Sequence, residues 1–113
     1  MSGFSRIVLE HSVRLALEAI PPERDARAAE CARDIRRYLR WMADEGSAVD
    51  YRDHLRDAVR ELSGIALVHR ELSIAARLQD IVEQLTVQRL QAINESRREK
   101  EKRKRAILRL LLG

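Results

Sequence analysis

The chain has 113 residues, of which 45% are hydrophobic, 35% charged and 4% aromatic, and it carries a net charge of +4. That length suits one small domain, and the apolar share is enough for a core, which excludes disorder as the default state. The apolar residues are chiefly Leu, Ile, Val and Ala, with only four Gly and two Pro, so packed helices are expected and a sandwich of short strands is not.

The first helix is expected from about Ser5 to Ile20, capped by Ser2 or Ser5. Arg6, Glu10, Arg14 and Glu18 recur every four residues with alternating sign and mark its solvated stripe. Leu9, Val13, Ala16, Leu17 and Ile20 form the opposite face, and Pro21-Pro22 ends the helix. The second helix is expected to start near Pro22, with Glu23 and Asp25 at its positive end. Its stripe of Ala28, Cys31, Ala32, Ile35, Tyr38, Leu39 and Met42 is the cleanest amphipathic pattern in the chain, and Gly46 closes it. Trp41 lies off that stripe, beside Arg37 and Arg40.

The third helix starts at Ser47 or Asp50 and buries Tyr51, Leu55, Ala58, Val59 and Leu62. Beyond it, no Pro or Gly interrupts residues 65–112. The pattern predicts one long last helix over 64–112. Two connections to the third helix fit equally well, a tight reversal near Gly64 or Ser73 and a continuous helix from Asp50. Leu67, Ile74, Leu78, Ile81, Leu85 and Ala92 are its expected core positions, with Val68, Leu72, Ala75, Val82 and Ile93 widening the stripe. Ile74, Leu78, Ile81 and Leu85 keep a heptad rhythm for a short coiled-coil-like stretch.

Charge is divided unevenly. Residues 1–96 hold 14 arginines against 16 acidic residues, while 97–113 hold eight basic residues against two glutamates, a net +6. Arg97, Arg98, Lys100, Lys102, Arg103, Lys104 and Arg105 form a run without an apolar residue, which cannot enter a core. Pairs such as Glu99–Arg103 and Glu101–Arg105 are expected to support it as helix. Ile107, Leu108, Leu110, Leu111 and Leu112 follow at once. The expected organisation is a bundle over 1–96 and a basic helical extension with an apolar tip over 97–113.

No chemical motif emerges. His11, His54 and His69 fall on different segments, Cys31 sits on a buried stripe, and the glycines are isolated, so no catalytic set, metal site or cofactor is expected and the chain is read as not an enzyme. Gln79 to Gln88 is rich in amides and carboxylates, with Asp80 and Gln84 one turn apart. The stretch resembles the catalytic helix of the chemotaxis phosphatases, which use an Asp and a Gln at this spacing to hold a cation and orient a water. The likeness needs a one-residue shift across Leu85-Thr86-Val87-Gln88. The plainer reading is a polar flank in which Thr86 or Gln88 bonds to a neighbouring helix.

The fold expected is therefore all-α, a three- or four-helix bundle whose long C-terminal helix projects from it. The function expected is a non-enzymatic adaptor or regulatory protein that acts through protein contacts and homo-oligomerisation. Its partner-binding residues are Ile107, Leu108, Leu111, Leu112 and Trp41. The alternative is a small basic subunit that meets nucleic acid through the run from Arg97 to Arg105. Trp41 with Arg36, Arg37 and Arg40 is a further candidate for stacking on bases or holding an anion. No apolar run approaches the ~20 residues of a membrane span, no signal-peptide pattern opens the chain, and a lone cysteine closes no internal disulfide, so the expected setting is cytoplasmic.

Overall fold

The structure, a computed structural model, describes residues 5–43 and 50–112, with side chains in those ranges except at 88, 89, 91–93 and 96. Among the described residues four helices follow one another: α1 (Arg6–Ala19), α2 (Ala26–Met42), α3 (Arg52–Val68) and α4 (Leu72–Leu112). Each packs on the next and α4 returns to α1, so the helices ring one core, with α3 and α4 sharing the largest contact.

Local chemistry sets the ends. Ser5 caps α1, its hydroxyl accepting from the Val8 amide at 3.3 Å. The two prolines then stop the helix, and the Pro21 carbonyl accepts from the amides of Arg24 and Asp25 to make a turn. α2 therefore begins later than the sequence suggests. Asp25 lies outside it as the cap, in extended conformation, and its carboxylate accepts from the Arg27 amide at 3.0 Å. The expected cap Ser47 and stop Gly46 lie outside the described residues. The Asp50 carboxylate accepts from the Arg52 amide at the head of α3.

Of the two connections expected, the continuous helix from Asp50 does not form: a tight reversal breaks the chain at 69–71, between Gly64 and Ser73. Gly64 is not the breaker; it lies within α3 on an exposed face. The reversal is made by Arg70 at φ 61°, left-handed geometry that favours glycine. The Arg70 amide bonds to Leu67 O at 3.0 Å and the Glu71 amide to Ala66 O at 2.9 Å. That is the Schellman pattern, which satisfies the free carbonyls at a helix end. With the break there, Leu67 and Val68 end α3 exposed and Leu72 starts α4 exposed, so none of the three serves the core as expected.

The core otherwise follows the amphipathic stripes. α1 supplies Leu9, Val13, Ala16 and Ile20, and α2 supplies Ala28, Cys31, Ala32, Ile35 and Leu39. α3 supplies Leu55, Ala58, Val59, Leu62, Ile65 and Ala66, and α4 supplies Ala75, Leu78, Ile81, Val82 and Leu85. The buried Ser63 hydroxyl donates to Ala75 O at 2.9 Å and ties α3 to α4. Arg6 donates to Leu39 O at 2.9 Å and ties the start of α1 to the end of α2. The radius of gyration is 18.8 Å and the longest extent 70 Å, against ~13 Å expected for a compact chain of this length. A helix the length of α4, 41 residues, is itself ~60 Å long.

Candidate interaction surfaces

α4 changes character along its length. Its last buried described residue is Leu85, and every described residue from Asn94 to Leu112 is exposed. Arg97, Arg98, Lys100, Lys102, Arg103, Lys104 and Arg105 are all among them. The expected pairs Glu99–Arg103 and Glu101–Arg105 are not closed; the ion pairs among the described residues lie elsewhere. Such pairs offer only a few tenths of a kcal/mol at full exposure, little against the entropy of two long side chains. At the tip, Leu110, Leu111 and Leu112 are 84%, 77% and 85% exposed, and Ile107 and Leu108 are slightly over half exposed.

Trp41 anchors a second surface. It is 41% exposed and its other side meets a cluster of rings. The Tyr51 ring lies 5.0 Å from it and Tyr38 packs edge-on at 5.9 Å. His54 stacks on Tyr38 at 5.6 Å, so residues of α2 and α3 share one aromatic patch. The Arg37 guanidinium stands 5.9 Å over the indole, at the outer limit of a cation–π contact. Next to this patch, a groove of ≈ 310 Å³ lies between α1 and α2, lined by Leu17, Ala29, Arg33, Arg36, Arg37 and Arg40. The sequence placed Trp41 with Arg36, Arg37 and Arg40. It did not show that Arg33 joins them, nor that Leu17 of α1 completes a concave wall.

A third cluster sits where the loop after α1 meets the turn after α3. His69 Nε2 lies 2.8 Å from the Asp25 carboxylate, and Arg27 donates to the same group. The hydrogen bond from the Arg27 side chain, then that with His69, hold the Asp25 carboxyl well below its usual range. Arg24 donates to Ala19 O at 2.8 Å, His69 O at 3.2 Å and Glu71 Oε1 at 3.0 Å. These groups satisfy one another and the carbonyls at two helix ends, so the cluster is a fastening. Its partners lie more than forty residues apart in the chain, which no local pattern reveals.

The remaining candidates are quiet. Asp80 and Gln84 are exposed and line a shallow depression of ≈ 220 Å³ with Ser5, Val8, Arg77 and Ile81. Thr86 donates to Val82 O within its own helix, and the side chain of Gln88, the other residue expected to bond to a neighbour, lies outside the described ones. Burial first, then the nearby Glu61 carboxylate, push the Cys31 thiol up to about 12. Among the described residues no group of His, Cys, Asp and Glu is arranged to hold a metal ion. Among them, too, no helix is long and apolar enough to cross a membrane. No protein-family model, no curated protein and no solved structure matches the chain.

Proposed function

We propose that the chain is a non-enzymatic helical adaptor. The bundle is its body, and the distal half of α4 projects from that body to deliver residues 107–112 to another protein chain. The observation that carries this reading is the exposure of five large apolar residues together at the tip, beyond a purely charged stretch. At 100° per residue, Leu110, Ile107, Leu111, Leu108 and Leu112 cover about 200° of the helix circumference. One packing face needs an arc of about 100°, so the tip suits burial on more than one side. A groove or an assembly of copies supplies that. The surrounding charge favours a partner with an acidic rim, and the body of a second copy, net −2 over residues 1–96, has the matching sign. The lone reduced thiol fits a cytoplasmic setting.

The test removes residues 106–113 and measures mass in solution by light scattering, together with capture of partners. Loss of self-association or of a specific partner supports the reading. Unchanged behaviour in both refutes it.

A second reading places the basic run on nucleic acid. It is favoured by the absence of ion pairs among the described side chains of 97–105, which leaves these charges available for phosphates. Binding would then fall steeply with salt and vanish on charge reversal in the run; no binding at about 50 mM salt removes the idea.

A further inference from the structure

We infer that the groove between α1 and α2 is a binding site for single-stranded nucleic acid, with phosphates on Arg33, Arg36, Arg37 and Arg40 and a base on Trp41. This site is separate from the α4 tip and from its basic run.

The placement of residues argues for it. At 100° per residue, Arg36, Arg40, Arg33, Arg37 and Trp41 fall in that order across a continuous arc of about 140° on α2. The arc is disjoint from the stripe that faces the core. Seven residues separate Arg33 from Arg40, a rise of ~10 Å, the length of about three stacked nucleotides. Arg37 has an ion pair, with Asp34 at 3.5 Å. Arg33, Arg36 and Arg40 have none among the described residues, nor a hydrogen bond. Three guanidiniums held along one groove without an ion pair among the described residues repel one another, and a polyanion relieves that repulsion. A globular acidic partner would satisfy the charges equally well and could also cover the indole; what favours a single strand is the regular row, about three nucleotides long, that ends in an open ring face.

Trp41 selects the class of polyanion. Tyr38 and Tyr51 fix the ring from one side while it stays 41% exposed. A base slipping onto the indole displaces the loose Arg37 contact at 5.9 Å and frees that guanidinium for the backbone. Stacking needs an open base face, which a duplex hides and a single strand offers. The arginines are themselves exposed, so the site tracks a backbone and does not enclose one phosphate.

Trp41 is the only tryptophan in the chain, so its fluorescence reports on this site alone. A uridine oligonucleotide is titrated into the full-length protein at low salt. The expected result is quenching of that fluorescence, with affinity falling linearly in log–log salt plots. Replacing Arg36 and Arg40 by Ala lowers the salt slope by about 1.4, from ~0.7 per phosphate on a single strand. Trp41→Ala, followed by anisotropy of a labelled oligonucleotide, weakens binding about tenfold, and Trp41→Phe recovers part of the loss. Reversing Lys100, Lys102 and Lys104 to Glu removes whatever binding the α4 run contributes, while Trp41 quenching persists through the groove. Both arginines are exposed and have no partner among the described residues, so the double variant folds, and circular dichroism verifies that. An oligonucleotide that leaves the fluorescence unchanged overturns the inference. So does binding that survives the double arginine change but is lost with the lysines. Inorganic polyphosphate that binds as tightly as the oligonucleotide also overturns it, because the site would then read charge without bases.

Discussion

Arg24→Ala tests whether the α1–α2 loop fastens the bundle. The side chain makes three bonds, to the carbonyls of Ala19 and His69 and to the Glu71 carboxylate. The first two carbonyls belong to the ends of α1 and α3, where helices leave acceptors unpaired. A charged donor on a carbonyl is worth about 1.5 kcal/mol or more when buried. Here the side chain is 42% exposed, and water replaces it after truncation, so about 0.5 kcal/mol per carbonyl is the better figure. The pair with Glu71, whose side chain is 32% exposed, adds no more than about 0.5 kcal/mol after solvent screening. The expected loss is about 1.5 kcal/mol, or a fall of roughly 6 °C in Tm at this chain length.

Urea unfolding followed by circular dichroism measures it, with Glu71→Ala and the double variant completing a cycle. The cycle should return about 0.3–0.5 kcal/mol of coupling, reduced at high salt, while the carbonyl share stays. Arg24→Lys should recover less than half of the loss, because a single ammonium cannot reach two diverging carbonyls and a carboxylate as the fork does. An Arg24→Ala protein within about 0.3 kcal/mol of the parent would refute the reasoning.

Gly64→Ala should raise stability by about 0.5–1 kcal/mol, since Gly64 is inside α3 and an added Cβ meets nothing within 4 Å; an unchanged or lower urea midpoint contradicts this. Cys31 should resist a thiol reagent in the folded protein at mildly alkaline pH and react fully in denaturant, because the thiol is buried and its pKa raised to about 12. Equal labelling rates in the two states would show that α2 does not pack as described. The Asp25 carboxyl is held below its ordinary value of 3.8 in the fold. Its ionised form therefore contributes stability that is whole above that pH and is lost as pH falls further towards the folded value. The advantage of the parent over Asp25→Asn should be constant near neutrality and shrink below pH 3.8; a gap that holds unchanged in stronger acid would exclude Asp25 as the cause.

The stripes on α1, α2 and α3 were legible because each interior residue recurs with helical spacing and both prolines punctuate where they must. The break after α3 was legible as one of two readings, but the residue that makes it was not. Gly64 advertises a turn that the helix ignores, since an exposed glycine costs only about 1 kcal/mol within packed α3. Arg70 hides the turn that forms. Its left-handed strain is offset by the bonds that the amides of Arg70 and Glu71 make to Leu67 and Ala66 and by the Arg24 clasp, none of which has a local signature. Separation in sequence also concealed the pairing of His69 with Asp25, 44 residues apart, and the contribution of Leu17 to the arginine groove on the next helix. The distal part of α4 was plain from charge alone, because nine residues without an apolar side chain leave packing no role.

That absence of packing shapes how an interaction through α4 would work. Residues 97–112 draw nothing from the core, so their helix rests on propensity, and Arg, Lys, Glu, Leu and Ala are the strongest formers. An isolated helix of such length is marginal in water, yet this one grows from a segment already anchored through Leu78, Ile81, Val82 and Leu85, so the costly first turn is made. A tip presented on a helix that is already nucleated loses less conformational entropy on docking than a disordered segment does. The long charged stretch thus does two things at once. In the proposed reading it would keep the apolar end away from the body's own core and hold that end in the conformation in which a partner receives it.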